Sequence, residues 1–405
     1  MEQILYKLPN GWEWHIIEDV AQIGTDRGFV PTPDPEGNIP FIGMTDIDQE
    51  TGQKSTYERR NFDDVKKGYT KFQRNAVLFA KITPCTENNK TALIDNVNGG
   101  FATTEVFPIH ALDSVEPKYL LHFFRSPSVR RFLIDQMEGA TGRQRVPLKA
   151  LKSVNIPICS LEEQKYIVEK LDTLLTRIDT AILHLQESIT LTDALYASTI
   201  NEQMMQAIEL FGLSTVEKHI EQIQTGTTPP TKQAEFYENG DINWFAPSDF
   251  GDHDILSDSN KKLSQKAFDA GKARKFDAGT IMLVAIGATI GKIGYLEQDA
   301  SSNQQITGMK FNSDITPKYA YYWFRFIKSE ILANASTATL PIINQKGIKA
   351  LSFCPPSKQL QETICKKIDE VSNFRNTVKV ELNEKVQLMC LLKASILDSA
   401  YKGEL

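Results

Sequence analysis

Two short segments carry the side chains best suited to touching another molecule. Residues 139–145, GATGRQR, set Arg143, Gln144 and Arg145 behind two glycines, and residues 81–90, KITPCTENNK, add Lys81, Asn88, Asn89 and Lys90. Arginine grips the O6/N7 edge of guanine with two hydrogen bonds, and glutamine or asparagine does the same to adenine. Glycine allows the backbone to approach closely. The chemistry on offer is therefore recognition by hydrogen bonding. In the second half of the chain, matched segments offer Thr289, Lys292, Asn303, Gln304, Gln305, Asn344, Gln345 and Lys346.

Catalytic patterns are missing from the same sequence. The run GATIGK, residues 287–292, is one residue short of a phosphate-binding loop, and Ile293 follows the lysine where Ser or Thr is needed. A strand-to-strand turn is the expected structure there. Pro229-Pro230 follows Thr228 and Pro355-Pro356 follows Cys354, and neither has the flanking Asn/Asp and aromatic of an amino-methyltransferase motif. Pro33-Asp34 with Asp64 and Lys66 imitates a nuclease only loosely. The six histidines, His15, His110, His122, His184, His219 and His253, show no paired metal spacing. Cys85, Cys159, Cys354, Cys365 and Cys390 are odd in number and scattered, so neither a disulfide framework nor a zinc site is expected. No catalytic and no metal-binding residue is assigned.

With 41% hydrophobic and 24% charged residues, the composition fits a folded, water-soluble chain. No run approaches the roughly 20 apolar residues of a membrane span. The opening MEQILYKLPNGWEW lacks a basic region followed by an apolar one. A cytoplasmic location is expected. The net charge of −6 is unevenly spread. Between residues 117 and 152, Lys118, Arg125, Arg130, Arg131, Arg143, Arg145, Lys149 and Lys152 face only Asp135 and Glu138. A second basic cluster, Lys261, Lys262, Lys266, Lys272, Arg274 and Lys275, faces only Asp269. Such clusters can meet phosphate.

The elements that must position these side chains occur twice. PKYLLHFFRS at residues 117–126 returns as PKYAYYWFRF at 317–326. KALKSVNIPICS from Lys149 returns as KALSFCPPS from Lys349. Upstream, KFQRNAVLFAKI from Lys71 matches KFDAGTIMLVAI from Lys275, and GNIPFIGMTDI from Gly37 matches GDINWFAPSDF from Gly240. Four blocks in one order mark a tandem repeat. Each copy reads as α+β, with β-rich runs and one aromatic-rich helix, over about 118–137 and 318–333.

After each copy comes a long stretch free of proline and glycine, beginning at Leu161 and at Lys358. Ile167, Leu171, Leu174, Ile178, Ala181 and Leu185 recur at three- and four-residue steps, less strictly on to Leu195. Ile364, Ile368, Val371, Val378, Leu382, Met389, Leu392 and Ile396 do so in the second stretch, with Arg375 and Lys385 on or beside the stripe as local weak points. These are coiled-coil seams. Each predicts a helix of about 45 residues, roughly 65–70 Å long. The simplest partner for each stripe is the other, giving an antiparallel coiled coil with a pseudo-twofold relation between the copies. Ser160, following Pro157, is placed to cap the first helix.

The order of these pieces carries a resemblance. PICSLEEQKYIVEKLDTLLTRID, then CPPSKQLQETICKKIDEV, then the terminal LLKASILDSAYKGEL resemble the specificity subunit of Type I restriction-modification systems, as does GATIGKIGYLE at 287–297. SKQLQE departs from the usual L-x-E-Q lead-in. The resemblance covers essentially the whole chain. It implies a non-catalytic DNA-binding subunit whose two target-recognition domains each read half of a bipartite, asymmetric duplex site. The helices would set the spacer and dock two methyltransferase (modification) subunits. Two motor-nuclease (restriction) subunits would complete the complex. S-adenosylmethionine would belong to the former, ATP and Mg to the latter, and no cofactor to this chain. The expected layout is residues 1–157 and 211–356 as recognition domains, with 158–210 and 357–405 as long helices. The competing readings are a free-standing DNA methyltransferase or nuclease, and a coiled-coil adaptor without base readout.

Overall fold

The repeated blocks fold into repeated topology. A computed structural model describes residues 3–52, 57–251, 255–336 and 340–405, so His253 lies outside the described residues. The chain divides into two units, Met1–Gln186 with Asn383–Leu405, and Glu187–Leu382. In the first, the strands run Ala21–Ile23, Val106–Ala111, Ala76–Ala80, Thr91–Ile94 across one antiparallel sheet. A second sheet runs Glu58–Asn61, Asn38–Ile42, Gly99–Ala102, Thr70–Gln73. The second unit repeats the first sheet and three strands of the second, which run Lys261–Leu263, Ile242–Phe245, Ser301–Ser302. Its larger sheet contains Ile220–Thr225, Ile306–Phe311, Ile281–Val284 and Ile293–Leu296 in that order, and adds Ile255–Leu256 at the edge. Even an unusual feature is copied: Phe41 pairs with Phe101 in a parallel ladder, as Trp244 does with Ser301.

The turn at 287–292 joins two antiparallel strands, as expected from its glycines, and Gly291 has φ +86°. A phosphate loop would instead enter a helix.

The aromatic-rich helices are each broken. Pro117–Arg125 stops at Ser126, and Pro127–Asp135 begins a new axis. Proline disfavours helical backbone in the residue before it, and Ser126 is extended with ψ 139°. In the second unit the break falls at Ile327, between Pro317–Phe326 and Lys328–Ala333. Tyr119, Phe123 and Phe124 are buried against Val77 and Phe79 of the sheet, and Tyr319 to Phe324 fill the matching place.

The long helices, Leu161–Phe211 and Lys358–Ala400, begin as the sequence indicates. Ser160 Oγ accepts the Glu163 amide at 3.2 Å, a side-chain cap. A stronger anchor lies one residue on. Gln164, fully buried, donates to the carbonyls of Ser114 (3.0 Å) and Cys159 (2.9 Å) and accepts the Glu116 amide (2.9 Å). Gln361 does the same with Asp314 (2.9 Å), Pro356 (2.8 Å) and the Thr316 amide (2.8 Å). The departure SKQLQE therefore spares the residue that matters. Gly212, with φ +72°, ends the central helix, its amide reaching Ile208 O at 2.7 Å.

Each unit pairs one half of the central helix with one half of the C-terminal helix. In the second unit Lys379 bonds Asp193 at 3.1 Å, and Arg375 lies 4.8 Å from the Tyr196 ring centre. In the first, Lys393 bonds Asp179 at 2.6 Å, while Leu171 and Leu175 share a core with Leu397, Ala400 and Tyr401. Numbering rises along one helix as it falls along its neighbour, so the pairing is antiparallel. Ile167, Leu171, Ile178, Ile364 and Ile368 are buried on the stripe, and Leu174, Leu185, Val371, Val378, Leu382 and Ile396 are half-buried. Leu392 departs from the expected stripe and is 46% exposed. The inward position at that turn belongs to Lys393. Arg375 is buried on the seam, with its Nε 2.8 Å from Asp193 but without a hydrogen bond of good geometry.

Gln164→Leu preserves size but orphans one amide and two carbonyls at the helix start. It is expected to destabilise the protein by about 2–4 kcal/mol. Chemical denaturation of the purified chain measures this, and a loss below about 0.5 kcal/mol would remove the anchoring role.

Candidate nucleic-acid interface

The loop segments singled out in the sequence are held on one backbone frame, built twice. Arg145 bridges both Ile82 and Glu138, and Ile342 bridges Ile286 and Ser336 in the same arrangement. Around the first frame, Gln144 O accepts the Thr83 amide (3.1 Å) and Lys81 O accepts the Val146 amide (2.8 Å). Lys81, Gln144 and Arg145 are thereby brought together. The Lys81 ammonium lies 5.0 Å from the Phe107 ring centre. Arg143 is exposed beside Gly142, whose φ of +79° suits only glycine.

Arg145 is 58% exposed and forms two bonds to Glu105, from Nε at 3.1 Å and Nη2 at 2.8 Å. The hydrogen bonds from Arg145 hold the Glu105 carboxyl below its ordinary range.

Other members of the candidate set turn inward. Lys90 donates to the carbonyls of Met44 (2.8 Å) and Ile47 (3.3 Å), pinning a short 3-10 turn to the sheet. Lys292 repeats this in the second unit, donating to Phe250 O at 2.9 Å. The structure thus gives both lysines a structural position rather than an outward one. Asn88 is exposed. Asn89 takes the left-handed conformation, φ +57°, and Arg125 Nη1 lies 3.5 Å from its carbonyl.

In the second unit Asn303 is 8% exposed and its amide donates to Gln305 Oε1 at 3.1 Å. Gln305 in turn lies 3.4 Å from Ile286 O. Gln304 is exposed and accepts the Thr228 hydroxyl. Asn344 caps the short helix Gln345–Ala350, accepting the Gly347 amide at 2.8 Å, and Gln345 donates to Thr225 Oγ1 at 3.0 Å. Thr289 and Lys346 are left on the surface.

Much of the basic window at 117–152 is answered by carboxylates, most of them from outside the window. Lys118 and His122 converge on Asp172, at 2.7 and 2.9 Å. Burial would raise the Asp172 carboxyl, but the hydrogen bonds of these two partners outweigh it and hold it low. Lys149 meets Glu138 at 3.2 Å, and Lys152 meets Glu18. Arg125, which the sequence grouped with the surface cations, is buried. Its guanidinium donates to the carbonyls of Thr91 (2.9 Å), Gln49 (2.9 Å) and Glu50 (2.6 Å), and burial lowers its pKa to about 10. The nuclease-like Asp34 accepts the amides of Asn38 (2.8 Å) and Glu36 (3.0 Å) and pairs with Arg59, so it orders a loop. Among the described residues, no group of three or more His, Cys, Asp and Glu could hold a metal ion, and no helix is long and apolar enough to cross a membrane.

Comparison with known proteins decides the family. The pattern of the Type I restriction modification DNA specificity domain matches residues 9–191 and again 218–388. The chain belongs to the family of Type I restriction-modification specificity subunits. Within that family it is 32% identical over 225 residues to the specificity subunit of the Type I restriction enzyme EcoAI of Escherichia coli, covering 55% of this chain and 36% of that relative. It is 31% identical over 192 residues to the EcoEI specificity subunit of the same organism, covering 47% of this chain and 31% of that relative. The matches thus span about a third of those relatives' length. The fold matches a chain from a study of type I R-M complex assembly and conformational transition, with TM-score 0.79, 19% identity and coverage of 99% and 100%. The HsdS subunit of Thermoanaerobacter tengcongensis gives TM-score 0.58 at 20% identity, covering 99% of each chain. A specificity subunit is a DNA-recognition component and not itself catalytic.

Replacing Lys90 or Lys292 of this specificity subunit with methionine is expected to cost about 1–3 kcal/mol of stability. The salt dependence of DNA binding should stay unchanged. A flatter plot of log affinity against log salt for either variant would show a phosphate contact instead.

Proposed function

We propose that this chain is the DNA-reading subunit of a cytoplasmic Type I restriction-modification complex, and that each of its globular domains reads one half of a bipartite, asymmetric duplex site. The observation carrying this reading is the duplicated frame: one backbone arrangement presents Arg145 in the first unit and Ile342 in the second. Identical scaffolds bearing different outward side chains suit two half-sites of different sequence. Arg143, Gln144 and Arg145 with Lys81 and Asn88 form the reading set of the first domain, and Thr289, Gln304 and Lys346 that of the second.

On this reading the recognition domains are residues 1–157 and 211–356, and the paired helices act as the spacer. Leu183, Leu191, Val380, Leu388 and Leu391 stand on the helices more than half exposed. Apolar side chains presented to water along long helices favour docking of another protein, here two modification subunits. S-adenosylmethionine would be bound there, and ATP and Mg by two restriction subunits. This chain's part is to place the duplex, with no bond made or broken by its own groups.

Matched insertions of seven residues after Leu185 and after Leu382 lengthen both helices by roughly 10 Å. That corresponds to about three base pairs at 3.4 Å per step. Methylated sites mapped in cellular DNA should keep both half-sequences and gain spacer. An unchanged spacer would end the ruler role. Methyl transfer to DNA by the purified chain alone would favour a free-standing enzyme. Exchange of one globular domain with that of a relative should change one half-site; no change in the methylated sequence would favour an adaptor without base readout.

A further inference from the structure

The guanidinium group has five N–H bonds in a rigid plane. Glu105 takes the side edge of Arg145, through Nε and Nη2. The end edge, made by Nη1 and the outer N–H of Nη2, is left for a partner. That edge still offers two parallel donors, the arrangement that spans guanine O6 and N7. Four features favour a base over a phosphate as the partner. The backbone of Arg145 is fixed at both its amide and its carbonyl, which bond the Glu138 carbonyl and amide, each at 2.9 Å. The backbone that carries the carboxylate is itself fixed, since the Glu105 amide reaches Thr103 Oγ1 at 3.3 Å and its carbonyl accepts the Lys81 amide at 3.0 Å. A negative charge beside the arginine weakens attraction to the sugar-phosphate chain, which a bare cation would bind regardless of sequence. Finally, the equivalent position in the second unit is Ile342, 39% exposed, an apolar side chain with no affinity for phosphate.

We infer that Arg145, held side-on by Glu105, reads one guanine in the half-site of the first domain, with Glu105 as the positioning residue. The inference rests on the DNA-reading function proposed above and adds which residue reads which base. Glu105 touches no base in this arrangement. It restricts the arginine to one plane and lowers the entropy lost on binding.

The test uses the assembled complex containing the full chain, bound to a library of randomised duplexes whose retained members are sequenced. The unaltered complex should select a bipartite motif with guanine at one position of one half. Arg145→Ala and Arg145→Lys should each lower the preference at that position about 10- to 100-fold, and Arg145→Lys should keep total retention because the charge remains. Glu105→Ala should relax the same position while total retention stays level or rises, an outcome that a merely structural role would not give. Glu105→Gln, which keeps the shape, reports the same effect if Glu105→Ala lowers the melting temperature. Uniform loss across all sequences on removing Arg145, or no relaxed position on changing Glu105, would overturn the assignment while leaving the recognition function standing. Selection of no motif by the unaltered complex would overturn that function itself.

Discussion

One buried amide side chain at the base of each long helix holds the architecture together. Gln164 and Gln361 bond three backbone groups apiece, drawn from the helix start and from the loop that enters the aromatic-rich helix. A glutamine without these partners would be costly inside a protein, because each unpaired polar atom loses its water. With them it fixes where the helix leaves the domain and at what angle. Lys118 and Lys318 extend the joint one layer outward, reaching Asp172 and Asp369, each at 2.7 Å. Tyr119 and Tyr319 close it from below, each donating to a backbone carbonyl at 2.9 Å.

A rigid joint of this kind separates two jobs. The aromatic core and the helix base are the same in both units because they hold geometry. The loops at the far end of the strands differ because they face outward. Most of the polar side chains there are still engaged with their own backbone, as with Lys90, Lys292 and Asn344. Such bonds make a loop stiff, and stiffness lets a few remaining side chains discriminate between bases.

How much of this was legible in the sequence depended on distance along the chain. The tandem repeat, the long helices and the Ser160 cap of the first are local patterns, and they appear where the spacing put them. The sequence could not show which cations were already matched. Lys118 lies 54 positions from Asp172, and Arg125 meets carbonyls up to 76 positions away. Charge alone could not tell the buried Arg125 from the exposed Arg143. Glu105 was overlooked because a lone carboxylate in a turn between strands has no signature; only its geometry with Arg145 gives it one. Leu392 was misplaced because the stripe was read from apolar residues only, while the inward direction at that turn belongs to the neighbouring lysine. The single helix expected over 118–137 ran past Pro127, although a proline inside a helical pattern ends the helix before it, and the structure breaks there at Ser126.

The burial of Tyr401 has a consequence in time. Its ring packs on Tyr119 and Phe123, with centroids 4.9 and 5.2 Å apart, and its hydroxyl donates to Tyr119 O at 2.7 Å. Glu187–Leu382 forms its unit from one continuous stretch, whereas the unit that begins at Met1 needs a second piece starting at Asn383. On the ribosome, the earlier of these two domains is therefore completed after the later one. Until Tyr401 emerges, its aromatic layer stands open to solvent and to whatever waits to hold a nascent chain.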